Sequence, residues 1–378
     1  MGLSKIAVAW RVYAIPAGVF QSLMIGGGYG TGREIVEYFS RFGVAGGLLG
    51  FAIVGLGFAL LLVVSFEFAR QFRAYDYRLF FRELLGRGWP FFEIVYLTMF
   101  TLVLAVIAAA AGTVVQEDLH LPSSVGVGAL LLLVTLFAYY GRTWVTRILA
   151  YKALLLSLVL VWYFLEVASH SSNRLASELS RLEIQPGWQL AAARYLLYST
   201  VTIPTMLFAT RAIETRRQAI LSGILCAAFG VIPGVLLHVS FAAGYPEILT
   251  RPIPLYWMIT ALNVPVLTAA YLVVLLGSLF DVGLGFIQSV NERVESWSLE
   301  RRNQTLSRAT RAGIASLAML ISGALSLVGI VKLISQGYGT IAYGFLILFV
   351  TPLMTVGLYR LAYRSSHRTL FTRDGGPS

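Results

Sequence analysis

A chain of 378 residues that is 57% hydrophobic and only 12% charged, with a mean hydropathy of +0.76, is not composed like a soluble domain, in which about 25% of residues are charged. It reads as an integral membrane protein, and its net charge of +11 reads as a topological bias of lysine and arginine, not as a nucleic-acid surface. The single cysteine, Cys226, excludes an internal disulfide and a cysteine-based metal site, and the four histidines are scattered without ligand spacing.

Apolar runs of spanning length fall at 11–40, 44–70, 89–117, 123–141 and 143–169, then at 187–212, 217–244, 264–291, 309–334 and 338–363. They predict an all-α integral membrane fold with ten transmembrane helices. The first run extends beyond signal-peptide length and reads as retained. With the N-terminus inside, 22 of the 29 lysines and arginines fall in cytoplasmic segments. The outer side keeps Arg33, Arg41, Arg174, Arg181, Arg194, Arg251 and Lys332. This alternation at every loop predicts a multi-pass protein of the cell (inner or plasma) membrane with both termini cytoplasmic.

Ten spans divide into a first five-helix repeat at 1–170, an external linker at 171–186 and a second repeat at 187–378 with a short cytoplasmic tail. The linker is the longest polar stretch. The segment between spans two and three, Gln71 to Gly88, matches in length the one between spans seven and eight, Pro246 to Leu262. One lies inside and the other outside. An odd number of spans per half forces the halves into opposite orientations, the pattern of a 5+5 inverted repeat.

The first span contains Gly26-Gly27-Gly28-Tyr29-Gly30-Thr31-Gly32, five glycines in seven residues. Each glycine costs a helix about 1 kcal/mol relative to alanine, so the run favours unwinding. Unwound backbone at membrane depth survives only against protein or a watery cavity, which makes a broken span a binding-site candidate. The bland alternative is a close helix crossing at the Gly28 and Gly32 G-x-x-x-G pair. In the sixth span, Tyr198-Ser199-Thr200-Val201-Thr202-Ile203-Pro204-Thr205 places a proline and hydroxyl groups mid-membrane. Pro204 removes a helix hydrogen bond, as a simple kink would also do. Two broken spans at matching places in the halves predict paired half-helices. Their N-terminal ends suit a carboxylate and their C-terminal carbonyls suit an ammonium group, so a zwitterion fits both. Candidate substrate-binding residues are Gly26, Gly27, Gly28, Tyr29, Gly30, Thr31, Tyr198, Ser199, Thr202 and Pro204. Tyr195 and Phe208 are further candidates for apolar walls, and Thr205 for a hydrogen bond.

Ionisable residues inside spans are costly. Asp281 lies mid-span in the eighth run, roughly 18 Å from the cytoplasmic Arg293, with Ser278 just before it. It is either a packed, hydrogen-bonded aspartate or an ion- or proton-coupling group. Lys152 in the fifth run either snorkels to the interface or turns inward towards Asp281. Arg33, Glu34 and Glu37 follow the glycine break and are candidates for an outer gate that pairs with span-ten groups, or for a solvated helix end. Glu67, Glu93 and Glu166 lie near span ends and read as interfacial, and His238 as a satisfied core residue.

The whole pattern, with spans one and six broken, resembles the LeuT fold of the amino acid-polyamine-organocation superfamily. More closely, Gly26 to Ile35 with Phe39 and Phe42-Gly43 resembles the YkvI-like bacterial membrane proteins, whose first span reads like G-A-G-F-A-[ST]-G-Q-E-I followed by F-F and F-G. The resemblance implies a secondary transporter working by alternating access. Many sodium-coupled relatives carry a Thr/Ser pair where this chain reads Phe280-Asp281, and some proton-coupled relatives carry a fifth-span lysine resembling Lys152. The coupling expected is therefore to protons, or at least independent of sodium. Small amino acids or similar organic metabolites are the expected cargo, and a ligand-binding sensor of the same fold is the alternative. No nucleophile–base set, metal spacing or phosphate loop points to an enzyme or a cofactor. The partners implied are the bilayer and a small molecule, not nucleic acid.

Overall fold

The computed structural model describes residues 7–25, 27–140, 145–302 and 304–364; the side chains of Lys152 and Asp281 lie outside the described residues. Among those described, every regular element is helical. The first apolar run holds α1 (Ile15–Met24) and α2 (Arg33–Tyr38), and α3 (Val44–Phe72) follows. The short α4 (Tyr77–Leu85) leads into α5 (Trp89–Leu119), then α6 (Ser123–Tyr140) and α7 (Val145–His170). A nine-residue α8 (Ser172–Ser180) occupies the linker. The sixth run divides into α9 (Trp188–Ser199) and α10 (Thr202–Met206). Then come α11 (Arg216–Phe241), α12 (Pro254–Ala261), α13 (Pro265–Arg302), α14 (Arg308–Ser326) and α15 (Ile330–Arg364).

Among the described residues, six stretches are long and apolar enough to cross a membrane: Val44–Phe72, Tyr77–Glu117, Arg216–Gly244, Pro265–Ile287, Arg308–Ser326 and Ile330–Arg364. Two shorter apolar helices lie at Ser123–Phe137 and Ser157–His170. The bundle's exterior agrees with a hydrocarbon solvent: Leu56, Leu132 and Val273 are 74%, 68% and 67% exposed. Apolar groups turned outward on successive helices would be unstable against water and are neutral against lipid.

The boundary between the ninth and tenth runs differs from the hydropathy pattern, and α13 runs past the predicted 291 to Arg302. The ninth run ends at Ser326, and Gly329 turns the chain with φ +90°, so α15 starts at Ile330 rather than at 338. Glycine reaches that conformation without a side-chain penalty, and hydropathy does not register it because both sides of the turn are apolar.

Two packed groups of helices position the site. In one, α1, α3, α9 and α11 lie together. Here α3 and α11 approach closely, since a Cβ on Gly223 would stand 2.8 Å from the Val63 backbone nitrogen. Small residues permit that approach, as is usual between membrane helices. In the other group, α5, α6 and α14 pack mutually and α13 lies across them. The linker closes over the start of α3: the Ala45 and Gly46 amides donate to the Glu183 carbonyl at 3.1 and 3.3 Å.

Candidate substrate site at two interrupted helices

The first run is interrupted where its glycines lie. Ile25 leaves helical geometry at φ −81°, ψ 50°, Gly27–Gly30 makes a single turn, and Gly32 takes φ +79° before α2 begins. At Gly32 both conformation and space require glycine: a Cβ would lie 2.6 Å from Phe241 Cζ and 3.1 Å from the Leu255 nitrogen. The carbonyls freed by the break find partners within the protein. Tyr271 Oη on α13 donates to the Gly30 carbonyl at 3.0 Å, and the Leu255 amide on α12 donates to that of Thr31 at 3.1 Å. These two oxygens are therefore occupied rather than open to a cation. The Thr31 hydroxyl accepts the Arg33 amide at 3.3 Å, at the first residue of α2. Gly26 lies outside the described residues.

The sixth run is tightened, not unwound. Pro204 has no N–H for the Thr200 carbonyl, which accepts the Ile203 amide at 3.0 Å instead. This gives an i+3 turn between α9 and α10. The hydroxyls of Thr200, Thr202 and Thr205 donate back to the carbonyls of Leu197, Ser199 and Val201 at 2.6, 2.7 and 2.9 Å. Thr202 thus keeps acceptor capacity only, and Thr205 also meets Tyr96 Oη at 2.6 Å. Ser199 and Pro204 are buried. Phe208 is 56% exposed and cannot wall a site.

Between the two interruptions sits Glu34, which the sequence offered, with Arg33 and Glu37, as an outer-gate or solvated-end residue and not as part of the substrate site. It is 8% exposed and accepts from Tyr198 Oη at 2.9 Å, joining α2 to α9. Tyr29, Tyr38, Tyr195, Tyr198 and Tyr338 are all buried. The rings touch: Tyr198 lies 5.3 Å from Tyr38, 5.4 Å from Tyr195 and 4.9 Å from Tyr338 between centroids. Tyr38 Oη donates to the Ile334 carbonyl on α15 at 2.7 Å, while Tyr29 Oη is buried without a partner. The signal available in the sequence was the i, i+3 spacing of Tyr195 and Tyr198, which puts both on one helix face.

Arg33 and Glu37 meet each other, not groups on α15. Arg33 Nη2 is 2.8 Å from Glu37 Oε2, and Glu37 Oε1 is 2.5 Å from Arg41 Nη1. Arg33 Nη1 also donates to the carbonyls of Leu249 and Arg251 at 2.9 and 3.1 Å, which draws the segment before α12 over the end of α2. Nearby, the Tyr245 hydroxyl donates to the Ser40 carbonyl at 2.6 Å, and burial pushes that phenol up, so it stays a neutral donor. His238 is satisfied in the core. Its Nε2 faces the Val44 carbonyl at 3.0 Å, which can only accept, so the neutral ring accepts from Ser40 Oγ at Nδ1, 2.9 Å away.

No protein-family model matches the chain. Over 294 residues it is 24% identical to the uncharacterised membrane protein YkvI of Bacillus subtilis strain 168, covering 74% of this chain and 80% of that protein. Its structure is similar to that of a Na+-coupled sialic acid symporter in a substrate-bound, outward-open state, with a TM-score of 0.60 and 13% identity over 90% of this chain and 78% of that one. A manganese transporter of Eremococcus coleocola superposes with a TM-score of 0.58 at 14% identity, over 91% of this chain and 78% of that one. MhsT in complex with L-phenylalanine does so with a TM-score of 0.58 at 15% identity, over 89% and 87%.

The chain has the LeuT fold. The resemblance of the whole pattern of spans to LeuT-fold proteins and that of the Gly26–Gly43 stretch to YkvI-like proteins are both borne out. In this LeuT-type arrangement the far end of the bundle, away from Arg33, is strongly basic. An open cavity of about 1430 Å³ lies there between the ends of α3, α11 and α15, with Arg70, Arg73, Arg211, Arg216 and Arg364 in its lining. On the same side Arg293 of α13 is buried against α4 and α5, 2.7 Å from Tyr77 Oη and 3.2 Å from Glu93 Oε1. Its guanidinium lies 4.5 and 4.6 Å from the rings of Tyr77 and Tyr96. Glu93 is half of an ion pair between helices. Ser278 is buried and donates to the Val274 carbonyl at 2.8 Å.

Proposed function

We propose that this protein is a secondary active transporter of amino acids or similar small zwitterionic metabolites, working by alternating access from the cell membrane. The observation that carries the reading is the juxtaposition of two interrupted spans, one at Gly27–Gly32 and one at Thr200–Val201, bridged by the Glu34–Tyr198 hydrogen bond within a LeuT fold. Interrupted helices are where transporters of this kind present backbone groups to a cargo. Ten spans arranged as 1–170 and 187–378 account for the apolar runs, and the packing of α3 on α11 is what related second spans of two inverted repeats would make. The basic far end supports cytoplasmic termini.

Coupling is assigned to protons, or to no sodium, through Lys152, Asp281 and Ser278. The helices that carry them, α7 and α13, pack against each other, which supports this assignment. Uptake into proteoliposomes under imposed gradients is the test. The expected result is uptake of an amino acid driven by a proton gradient, or at least indifferent to sodium, and lost in Asp281→Asn and Lys152→Met. Strict sodium dependence with an unaffected Lys152→Met variant overturns the coupling. Saturable binding without uptake in any gradient overturns transport in favour of a sensor.

A further inference from the structure

Two carboxylates stand three residues apart on α2, and their surroundings are opposite. Glu37 has a guanidinium on each oxygen, Arg33 at 2.8 Å and Arg41 at 2.5 Å. Glu34, equally buried at 8% exposure, has one side-chain partner among the described residues, the neutral donor Tyr198 Oη. Arg33 cannot serve it, because its guanidinium is turned to Glu37, Leu249 and Arg251. A carboxylate taken out of water with a single neutral partner is left uncompensated. The Tyr198 ring that serves it packs among the buried rings of Tyr38, Tyr195 and Tyr338, and on the glycine turn just before α2 the buried Tyr29 hydroxyl has no partner among the described residues.

This chemistry selects among occupants. A hard metal cation takes six or more oxygen ligands, and a single carboxylate among aromatic rings does not supply them. A substrate carboxylate would be repelled by Glu34. An organic ammonium group satisfies both features, since it pairs with the carboxylate and lies favourably against the electron-rich face of a tyrosine. We propose that Glu34, with the ring of Tyr338 and the hydroxyls of Tyr29 and Tyr198, binds the ammonium group of the transported metabolite. The inference rests on the substrate site assigned above, between the interrupted spans. It places the amine end of the cargo against α2 and leaves the other end for the glycine turn.

The test uses the purified full chain and ligand pairs that differ only in the positive charge: leucine and 4-methylpentanoate, choline and 3,3-dimethylbutanol. Ligand that binds the folded state raises the melting temperature by mass action, and isothermal calorimetry supplies affinities for the hits. The expected result is binding of at least one ammonium compound and not of the partner that lacks the ammonium group. Glu34→Gln keeps an acceptor for Tyr198 and is expected to weaken that binding at least tenfold while melting normally without ligand. Tyr338→Leu is expected to weaken it and Tyr338→Phe to restore it. Equal binding of both members of a pair, or undiminished binding to Glu34→Gln, overturns the ammonium assignment. If that binding is still abolished by Thr202→Val, the site between the spans stands. If no pair binds at all, both the assignment and the site fall.

Discussion

Gly32→Ala puts the geometry of the first interruption to a quantitative test. The residue sits at φ +79°, where an L-residue with a Cβ is disfavoured by about 1–2 kcal/mol. The new methyl would stand 2.6 Å from Phe241 Cζ and 3.1 Å from the Leu255 nitrogen. Relieving such an overlap in a packed core costs about 1–3 kcal/mol. It also pushes away the amide that holds the Thr31 carbonyl. The two terms together predict a loss of about 2–5 kcal/mol. Gly18→Ala is the control: it lies in α1, where a Cβ meets nothing within 4 Å. There alanine is expected to gain up to about 1 kcal/mol from helix propensity. Unfolding of both variants in detergent, followed by tryptophan fluorescence, gives the two differences directly. If Gly32→Ala melts with the wild type, or shifts no more than Gly18→Ala, the left-handed turn and the close approach of α12 are both wrong.

Three other substitutions probe separate contacts. Gly47→Ala would bring a methyl to 2.3 Å from His238 Cε1, so it is expected to destabilise by about 1–3 kcal/mol, and the cost should fall well short of additive when His238→Ala is combined with it. Arg293→Met strands the Glu93 carboxylate among aromatic rings and is expected to cost about 3–5 kcal/mol, with Glu93→Gln recovering much of the loss in the double variant. Arg33→Gln releases the segment around Leu249. In a Cys226→Ala background, which removes the one buried thiol, a Leu249→Cys probe should react with a polar maleimide at least about tenfold faster once Arg33 is replaced. An unchanged labelling rate would mean that the guanidinium does not hold that segment down.

The membrane class, the helical content and the place of the first interruption were legible in the residues, because each follows from local properties. Apolar runs span lipid whatever they pack against, and five glycines near mid-span weaken a helix in any context. The sixth-run interruption was legible in kind but not in form. Pro204 announces a missing donor, but only the structure shows Ile203 supplying the Thr200 carbonyl in its place, so the chain tightens instead of opening. The boundary at Gly329 was not legible, since it separates two equally apolar segments.

The binding chemistry divides in the same way. Glycine at 32, tyrosines at 195 and 198, and acids at 34 and 37 are given by the chain itself. Which acid is neutralised is not. Successive side chains on a helix point about 100° apart, so the left-handed turn at Gly32 sets which of Arg33 and Glu34 faces the segment before α12 and which faces α9. Tyr198, the partner of Glu34, comes from 164 residues further along; Tyr38 stands one turn on from Glu34 on α2 itself, and Tyr338 reaches the same place from α15. Local sequence could put a charge in the membrane. Only the packing of α2 against α9 and α15 decided that Glu34, and not Glu37, was left without a cation, because pairing depends on which groups the fold brings within a few ångströms.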